Sequence, residues 1–295
     1  MRVAIYNLEG YKNLALEKIR VYHERQGHQV EEYIPILDET YDKIYCSSIF
    51  DYTPKGYVGN DDRWIKGGTG FDIQGKLPPE IDEIKPKLNF GFTTRGCIRS
   101  CPFCVVPKKE GDIKAVNDIY DIWDGQADLI TLLDNNILAH KEHFLKIADQ
   151  LKKENLKVDF NQGLDIRLLT DDIAKELATL RHVEYRFAFD FPSLDELIKE
   201  KVELLKRHGI KRSMFYVLVG YNTTLNQDLY RLSLLRDLGQ NAYVMRYKRD
   251  KKYIPIARWA NQRHLFQAMS FEKFMSYPEN QKYKEYLGGD IVGIN

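Results

Sequence analysis

The sequence carries almost no excess of either charge, few cysteines and no long apolar run. Its 44 Lys and Arg stand against 43 Asp and Glu, a formal net charge of +1. No global field therefore marks it as a binder of nucleic acid or of an acidic membrane, and any basic site must be local. No stretch approaches the roughly 20 apolar residues that span a bilayer. The first residues, Met1 to Tyr6, turn polar at Asn7, so neither a signal peptide nor a membrane anchor is expected and the compartment is read as cytoplasmic. Only four cysteines occur, and three of them, Cys97, Cys101 and Cys104, fall within eight positions. Such crowding points to a metal in a reducing compartment and away from disulfides. What the chain does have is apolar bulk: 43% apolar residues, with 14 Phe, 19 Tyr and 3 Trp. That is enough to fill a sizeable core, which excludes disorder as the main state. A length of 295 residues suggests about two units.

Residues 2–6 read as a strand, and Leu16, Ile19 and Tyr22 recur at helical spacing until Gly27 stops the helix. Strands near Gln29–Tyr33 and Lys43–Cys46 complete a small α/β domain over residues 1–50. Residues 51–87, rich in glycine and proline, read as a loop-rich bridge. From Leu88, strand-like runs alternate with amphipathic helices: Leu88–Thr94, Leu129–Leu133, Val158–Asn161, Val183–Phe189, Met214–Val219 and Ala242–Arg246. Six βα units imply a parallel sheet over 88–250, with a C-terminal helical extension over 251–295 expected to pack across the barrel opening. Ser193 to Glu196 and Thr224 to Gln227 match the capping box, and Gly209 and Gly239 are placed as stops. In such folds function collects just after the strands.

The cysteines follow the first of these strands. Gly96-Cys97-Ile98-Arg99-Ser100-Cys101-Pro102-Phe103-Cys104 spaces thiols as C-x₃-C-x₂-C. Three thiolates on one tight loop can hold three irons of a [4Fe–4S] cluster and leave the fourth iron open. A structural zinc site is the competing reading, but zinc normally takes four ligands and no Cys or His follows at finger-like spacing. With its aromatic Phe103 before the last cysteine, this motif resembles that of the radical S-adenosylmethionine superfamily, and the resemblance extends over about Leu88 to Arg246. It implies a partial (βα)₆ barrel of TIM-like type, preceded here by a Rossmann-like α/β domain. It also implies that Cys97, Cys101 and Cys104 ligate the cluster and that S-adenosylmethionine chelates the open iron. In the family, an electron from a one-electron reductant such as flavodoxin or ferredoxin cleaves the sulfonium. The 5′-deoxyadenosyl radical then takes hydrogen from a substrate.

Further positions follow from the resemblance. Asp134, Asn135 and Asn136 stand where the family often has Gly-Gly-Glu, and a carboxylate with two amides could accept the methionine ammonium; an Asx turn is the alternative. Asn161 and Gln162 could bond ribose hydroxyls, and Arg167 could pair with the methionine carboxylate, with helix capping and surface ion pairing as competing explanations. Arg186 and Asp190 flank the fourth strand, where an inward charge would face the barrel mouth. Gly220 would let adenine approach the backbone, and a plain strand-to-helix turn needs the same glycine. Gly67, Gly68 and Gly70, with Leu77-Pro78-Pro79-Glu80, look like the end of a cobalamin-type domain. The Asp-x-His-x-x-Gly loop that places histidine on cobalt is missing, so cobalamin is not an expected cofactor.

The motif also looks like that of methylthiotransferases that modify tRNA and ribosomal protein. Those carry a second cluster on three N-terminal cysteines. Only Cys46 lies outside the motif here, so that assignment fails on the cysteine count, and Cys46 reads as a small buried hydrophobe. The basic and aromatic stretch 243–264 could meet phosphates and stack bases, or it could be a solvated face over packed aromatics. The reading is thus a radical S-adenosylmethionine enzyme of unknown substrate. The alternatives are an RNA- or nucleotide-modifying enzyme of that class and a non-catalytic Fe–S or zinc module.

Overall fold

The computed structural model describes residues 1–287, so 288–295 of the expected C-terminal extension lie outside the described residues. The fold is mixed α/β with small parallel sheets, and the chain divides into two compact units. The first holds residues 1–92, 96–112 and 117–127; the second holds 93–95, 113–116 and the described residues from Asp128 onward.

In the first unit, β1 (Arg2–Asn7), β2 (Gln29–Glu32), β3 (Lys43–Ser47) and β4 (Trp64–Gly67) form one parallel sheet in the order β2-β1-β3-β4. Side chains alternate across the strands, which splits the core in two. Val3, Ile5 and Tyr45 pack with Leu16 and Ile19 of α1 (Leu14–Arg25) on one face. Ala4, Ile44 and Cys46 pack with Tyr41 and Trp64 on the other. The α1 helix starts where Asn13 accepts from the N–H groups of Ala15 and Leu16, a cap worth about 1 kcal/mol. Gly27, at φ +73°, supports the stop read from the sequence. The fourth strand lies inside the segment read as a bridge, and the glycine run after it folds back so that Gly70 N–H reaches the Ser48 carbonyl at 2.8 Å. This unit also holds α2 (Pro79–Asp82), β5 (Phe90–Gly91), α3 (Val106–Lys109) and the 3₁₀ turns Pro35–Thr40 and Ile119–Asp121.

The second unit begins with an antiparallel pair, β6 (Thr94–Arg95) with β7 (Lys114–Ala115). There follow β8 (Leu129–Leu132), α4 (Lys141–Lys153), β9 (Lys157–Phe160), α5 (Asp171–Thr179), β10 (Arg186–Ala188), α6 (Asp195–Arg207), β11 (Met214–Val219), α7 (Leu225–Asp237) and β12 (Asn241–Arg246). Strands β8 and β9 pair in parallel, as do β10, β11 and β12, and the bridges Val158↔His182 and Leu164↔Phe187 run between the two sets. No closed barrel is present among the described residues. The expected strand 88–94 is interrupted, because the N–H groups of Thr93 and Thr94 go to the Asp134 carboxylate instead of a neighbouring strand.

Thr224 and Gln227 form the expected capping box on α7. Ser193 does not cap α6: it lies in a 3₁₀ turn, Pro192–Leu194, and α6 starts two residues later without a side-chain cap. The C-terminal α8 (Ile254–Ala260), α9 (Arg263–Ala268) and α10 (Phe271–Ser276) gather around Trp259, which is fully buried against Phe266 and Phe271. Helices α8 and α9 pack on β12 and α10 packs on α8, with α11 (Lys284–Leu287) following in the chain. Asn261 donates to the Val244 carbonyl at 3.2 Å and accepts from its N–H at 2.6 Å. A side-chain amide thereby closes the outermost strand, an edge that would otherwise invite pairing.

Candidate functional site

The cysteine loop belongs to the first unit. Gly96 enters it at φ +85°, and a Cβ there would sit 2.2 Å from the Asp112 carbonyl oxygen, so the two ends of the loop approach where only glycine fits. Cys97 N–H donates to the Gly111 carbonyl at 3.1 Å, and Cys104 N–H donates to the Cys101 carbonyl at 2.9 Å. The three thiols are half-buried, as is Phe103, and the backbone N–H of Arg99 donates to Cys97 Sγ at 3.3 Å. A backbone donor directed at sulfur suits a thiolate. Among the described residues no group of three or more His, Cys, Asp or Glu side chains is gathered closely enough to hold a metal ion. Three thiolates brought together without metal would repel, so their convergence is tied to loading. In donor chemistry, three soft thiolates on one pinned loop fit an iron–sulfur cluster. Cys46 is different: it is 1% exposed, and burial pushes its thiol up to about 11.

In the second unit, polar groups cluster after the strands. Asp134, after β8, is 4% exposed. Its Oδ1 accepts from Thr93 N–H and Oγ1–H at 3.0 and 2.8 Å, from Thr94 Oγ1–H at 2.6 Å and from Thr94 N–H. Burial nevertheless pushes its carboxyl above the usual range, and Oδ2 has no hydrogen-bond partner. The Nδ2 of Asn135 is likewise buried and unmatched. Asn136 donates from Nδ2 to Asp165 Oδ2 at 3.3 Å.

Asp165 also engages the Arg167 guanidinium on both oxygens, at 2.6 and 3.0 Å. Asn136, Asp165 and Arg167 therefore form one network after β8 and β9. Asn161 offers its carbonyl to Tyr216 O–H at 2.9 Å, and Gln162 is exposed. Arg186 lies apart from this group: it starts β10 and pairs with Asp159 of β9.

Gly220, after β11, has φ +79°, and a Cβ on it would meet the Tyr253 ring at 2.5 Å. An aromatic ring of the chain itself is thus the group that Gly220 admits. Its N–H donates to Asp228 Oδ2 at 3.0 Å. Asp228 and Arg231 of α7 are fully buried partners, and Arg231 also donates to the carbonyls of Phe189 and Leu218. Asp190 accepts the Leu218 N–H at 2.9 Å; burial pushes its carboxyl up against that bond and the charges of Arg231 and Arg167.

Asp165, Asp228 and Arg231 were not singled out from the sequence. The signal for the last two was available: they sit within the stripe Leu225, Leu229, Leu232 and Leu235, where unpaired charge would be prohibitive. The basic stretch 243–264 does not form one patch. Residues 243–246 lie on β12 and 247–253 follow its end, whereas Arg263 and His264 lie with Asn241, at the start of that strand.

No family model matches the chain. Over 186 residues it is 23% identical to the ribosomal protein uS12 methylthiotransferase RimO of Rhodopseudomonas palustris (strain BisA53). The match takes in 61% of this chain and 38% of that protein, so the chain spans about two-fifths of the length of the relative it resembles. No helix among the described residues is long and apolar enough to cross a membrane.

Proposed function

We propose that this chain is a radical S-adenosylmethionine enzyme whose cluster is held by Cys97, Cys101 and Cys104. The observation that carries the reading is the cysteine trio: C-x₃-C-x₂-C with Phe103, on a loop pinned at Gly96, with a backbone N–H donated to Cys97 Sγ. Two further findings support it. Strand order in β10-β11-β12 advances one place per helix, the winding of a (βα) barrel, and a partial (βα)₆ barrel is the arrangement proposed. The matched relative is by name a methylthiotransferase, a group whose motif this cysteine run resembles.

When bound, the cluster would supply the electron that cleaves S-adenosylmethionine to methionine and a 5′-deoxyadenosyl radical. The chain's own groups bind and orient. Asp134 presents an unmatched buried oxygen, Oδ2, for the methionine ammonium, with Asn136 beside it, and the unmatched Nδ2 of Asn135 is a donor suited to the methionine carboxylate. Arg167, held by Asp165, is set for the carboxylate, and Asn161 and Gln162 for the ribose. Arg186, a cofactor-binding candidate in the sequence, starts β10 at the opposite strand end and has no part in this proposal. A small one-electron reductant of flavodoxin or ferredoxin type is the partner the reading requires, and the substrate is left open.

Anaerobic reconstitution with iron and sulfide tests this. The expected result is about four irons per chain, a broad absorbance near 400 nm, and 5′-deoxyadenosine on reduction with S-adenosylmethionine. Replacing any of the three cysteines with Ala should abolish both signals, while Cys46→Ala keeps them. Stoichiometric zinc without iron, or full iron in all three variants, sinks the reading.

A further inference from the structure

The strands of the second unit carry another feature at their opposite ends. A cleft of about 530 Å³ opens beside the residues that lead into β10, β11 and β12, within the roughly 300–1,000 Å³ of small-ligand sites. Its walls bring together Arg186, Arg212, Arg263, His182, His264 and Glu184. Two of the guanidiniums are fixed in place. Arg186 is held by Asp159, and Arg263 by Glu184 at 2.5 Å, with Glu184 itself held by Asn241 Nδ2 at 3.3 Å. Both carboxylates are largely buried, so little side-chain freedom remains to be lost on binding.

The other three groups have capacity to spare. Arg212 donates from Nε to the Gly239 carbonyl at 3.1 Å, and among the described residues no carboxylate pairs with it, which leaves its Nη groups for a ligand. His182 uses Nδ1 on the Leu180 carbonyl at 2.9 Å and stacks on Tyr185 with ring centroids 4.0 Å apart, leaving Nε2. His264 is exposed and makes no side-chain hydrogen bond among the described residues. Three guanidiniums against two carboxylates give 3 − 2 = +1 around the cleft before either imidazole is protonated.

We infer that this cleft binds a phosphate ester, with Arg212 as the principal contact. A planar guanidinium matches two phosphate oxygens at once, and Arg186, Arg263 and the ring nitrogens of the two imidazoles line the same cleft as further polar contacts. The shared chemistry is the phosphate of a free nucleotide or of single-stranded RNA. This site is separate from the strand ends proposed for S-adenosylmethionine and stands whether or not a cluster is bound.

Binding can be measured on the full-length protein prepared without iron, using inorganic phosphate, adenosine 5′-monophosphate and a fluorescent single-stranded RNA of about ten nucleotides. Saturable binding should occur with at least one of the esters. It should weaken by about tenfold or more in Arg212→Glu and by less in Arg263→Gln, with Lys199→Glu on α6 as a charge-matched control that changes nothing. Tighter binding of RNA than of the mononucleotide, with steep salt dependence, identifies the polymer as the source; equal affinity identifies the nucleotide. Arg212→Gln gives the same reading should the glutamate variant fail to fold. No saturable binding of any probe, or wild-type affinity in both Arg212 variants, overturns the inference.

Discussion

Two glycines in the cysteine loop separate the cost of a backbone angle from the cost of a clash. Gly96 and Gly111 both have positive φ, +85° and +71°. A Cβ on Gly111 meets nothing within 4 Å, whereas one on Gly96 meets the Asp112 carbonyl at 2.2 Å. Gly111→Ala should therefore cost only about 1 kcal/mol for the left-handed backbone. Gly96→Ala should cost roughly 2–4 kcal/mol and lower iron loading, because the loop ends must part. Urea denaturation of the two variants checks this, and equal midpoints would show that the loop ends are not tightly held. Arg167 allows a similar separation. If it serves S-adenosylmethionine and not only Asp165, Arg167→Ala should weaken binding about tenfold, or 1.4 kcal/mol, with iron unchanged; calorimetry on the reconstituted protein reads both.

The α7 helix shows what element-level patterning can and cannot tell. Its capping box and its stop at Gly239 were legible, because caps and stops are local. Its buried ion pair was legible only in part: Asp228 and Arg231 sit within the leucine stripe, but their spacing does not name the groups they hold. Only the three-dimensional structure shows that Arg231 ties the Phe189 and Leu218 carbonyls of neighbouring strands together while Asp228 holds Gly220. The same limit applies to residues 88–94, whose apolar content reads as one strand although Asp134, some 40 residues on, takes the N–H groups of Thr93 and Thr94. The cysteine spacing, by contrast, was fully visible, being contiguous. For the α7 pair the expected outcome is asymmetric. Arg231→Ala leaves Asp228 buried alone and should cost about 3–5 kcal/mol, whereas Arg231→Met with Asp228→Leu should recover a large part of that. A double-mutant cycle by chemical denaturation measures the difference, and a double variant no more stable than Arg231→Ala would contradict a dominant role for the stranded charge.

At the scale of the whole molecule, the two units should answer acid differently, because their buried titratable groups shift in opposite senses. In the first unit His23, 2% exposed, touches Tyr45 through Nε2 at 3.0 Å and His28 through Nδ1 at 2.9 Å. Burial, then repulsion from His28, Lys43 and the N-terminus, brings its pKa down from 6.5 to about 4. The fold thus favours neutral His23, and as pH falls below 6.5 the unfolded chain takes up the proton first. Stability should drop between pH 6.5 and about 4, by at most roughly 3 kcal/mol for a shift of that size. In the second unit, burial raises Asp134 and Asp190. Their folded forms hold protons more tightly than the unfolded chain does, so above the ordinary aspartate pKa these two groups favour the fold as pH falls. Each unit has its own core, so opening should be readable separately in each. Hydrogen exchange at pH 7 and pH 5, corrected for intrinsic rates, should show β1 and β3 losing protection while β11 and β12 keep theirs. His23→Gln should remove most of the pH dependence of β1 and β3. Equal loss of protection in both units, or an unchanged acid response in His23→Gln, would mean that the buried imidazole is not what makes the first unit sensitive to acid.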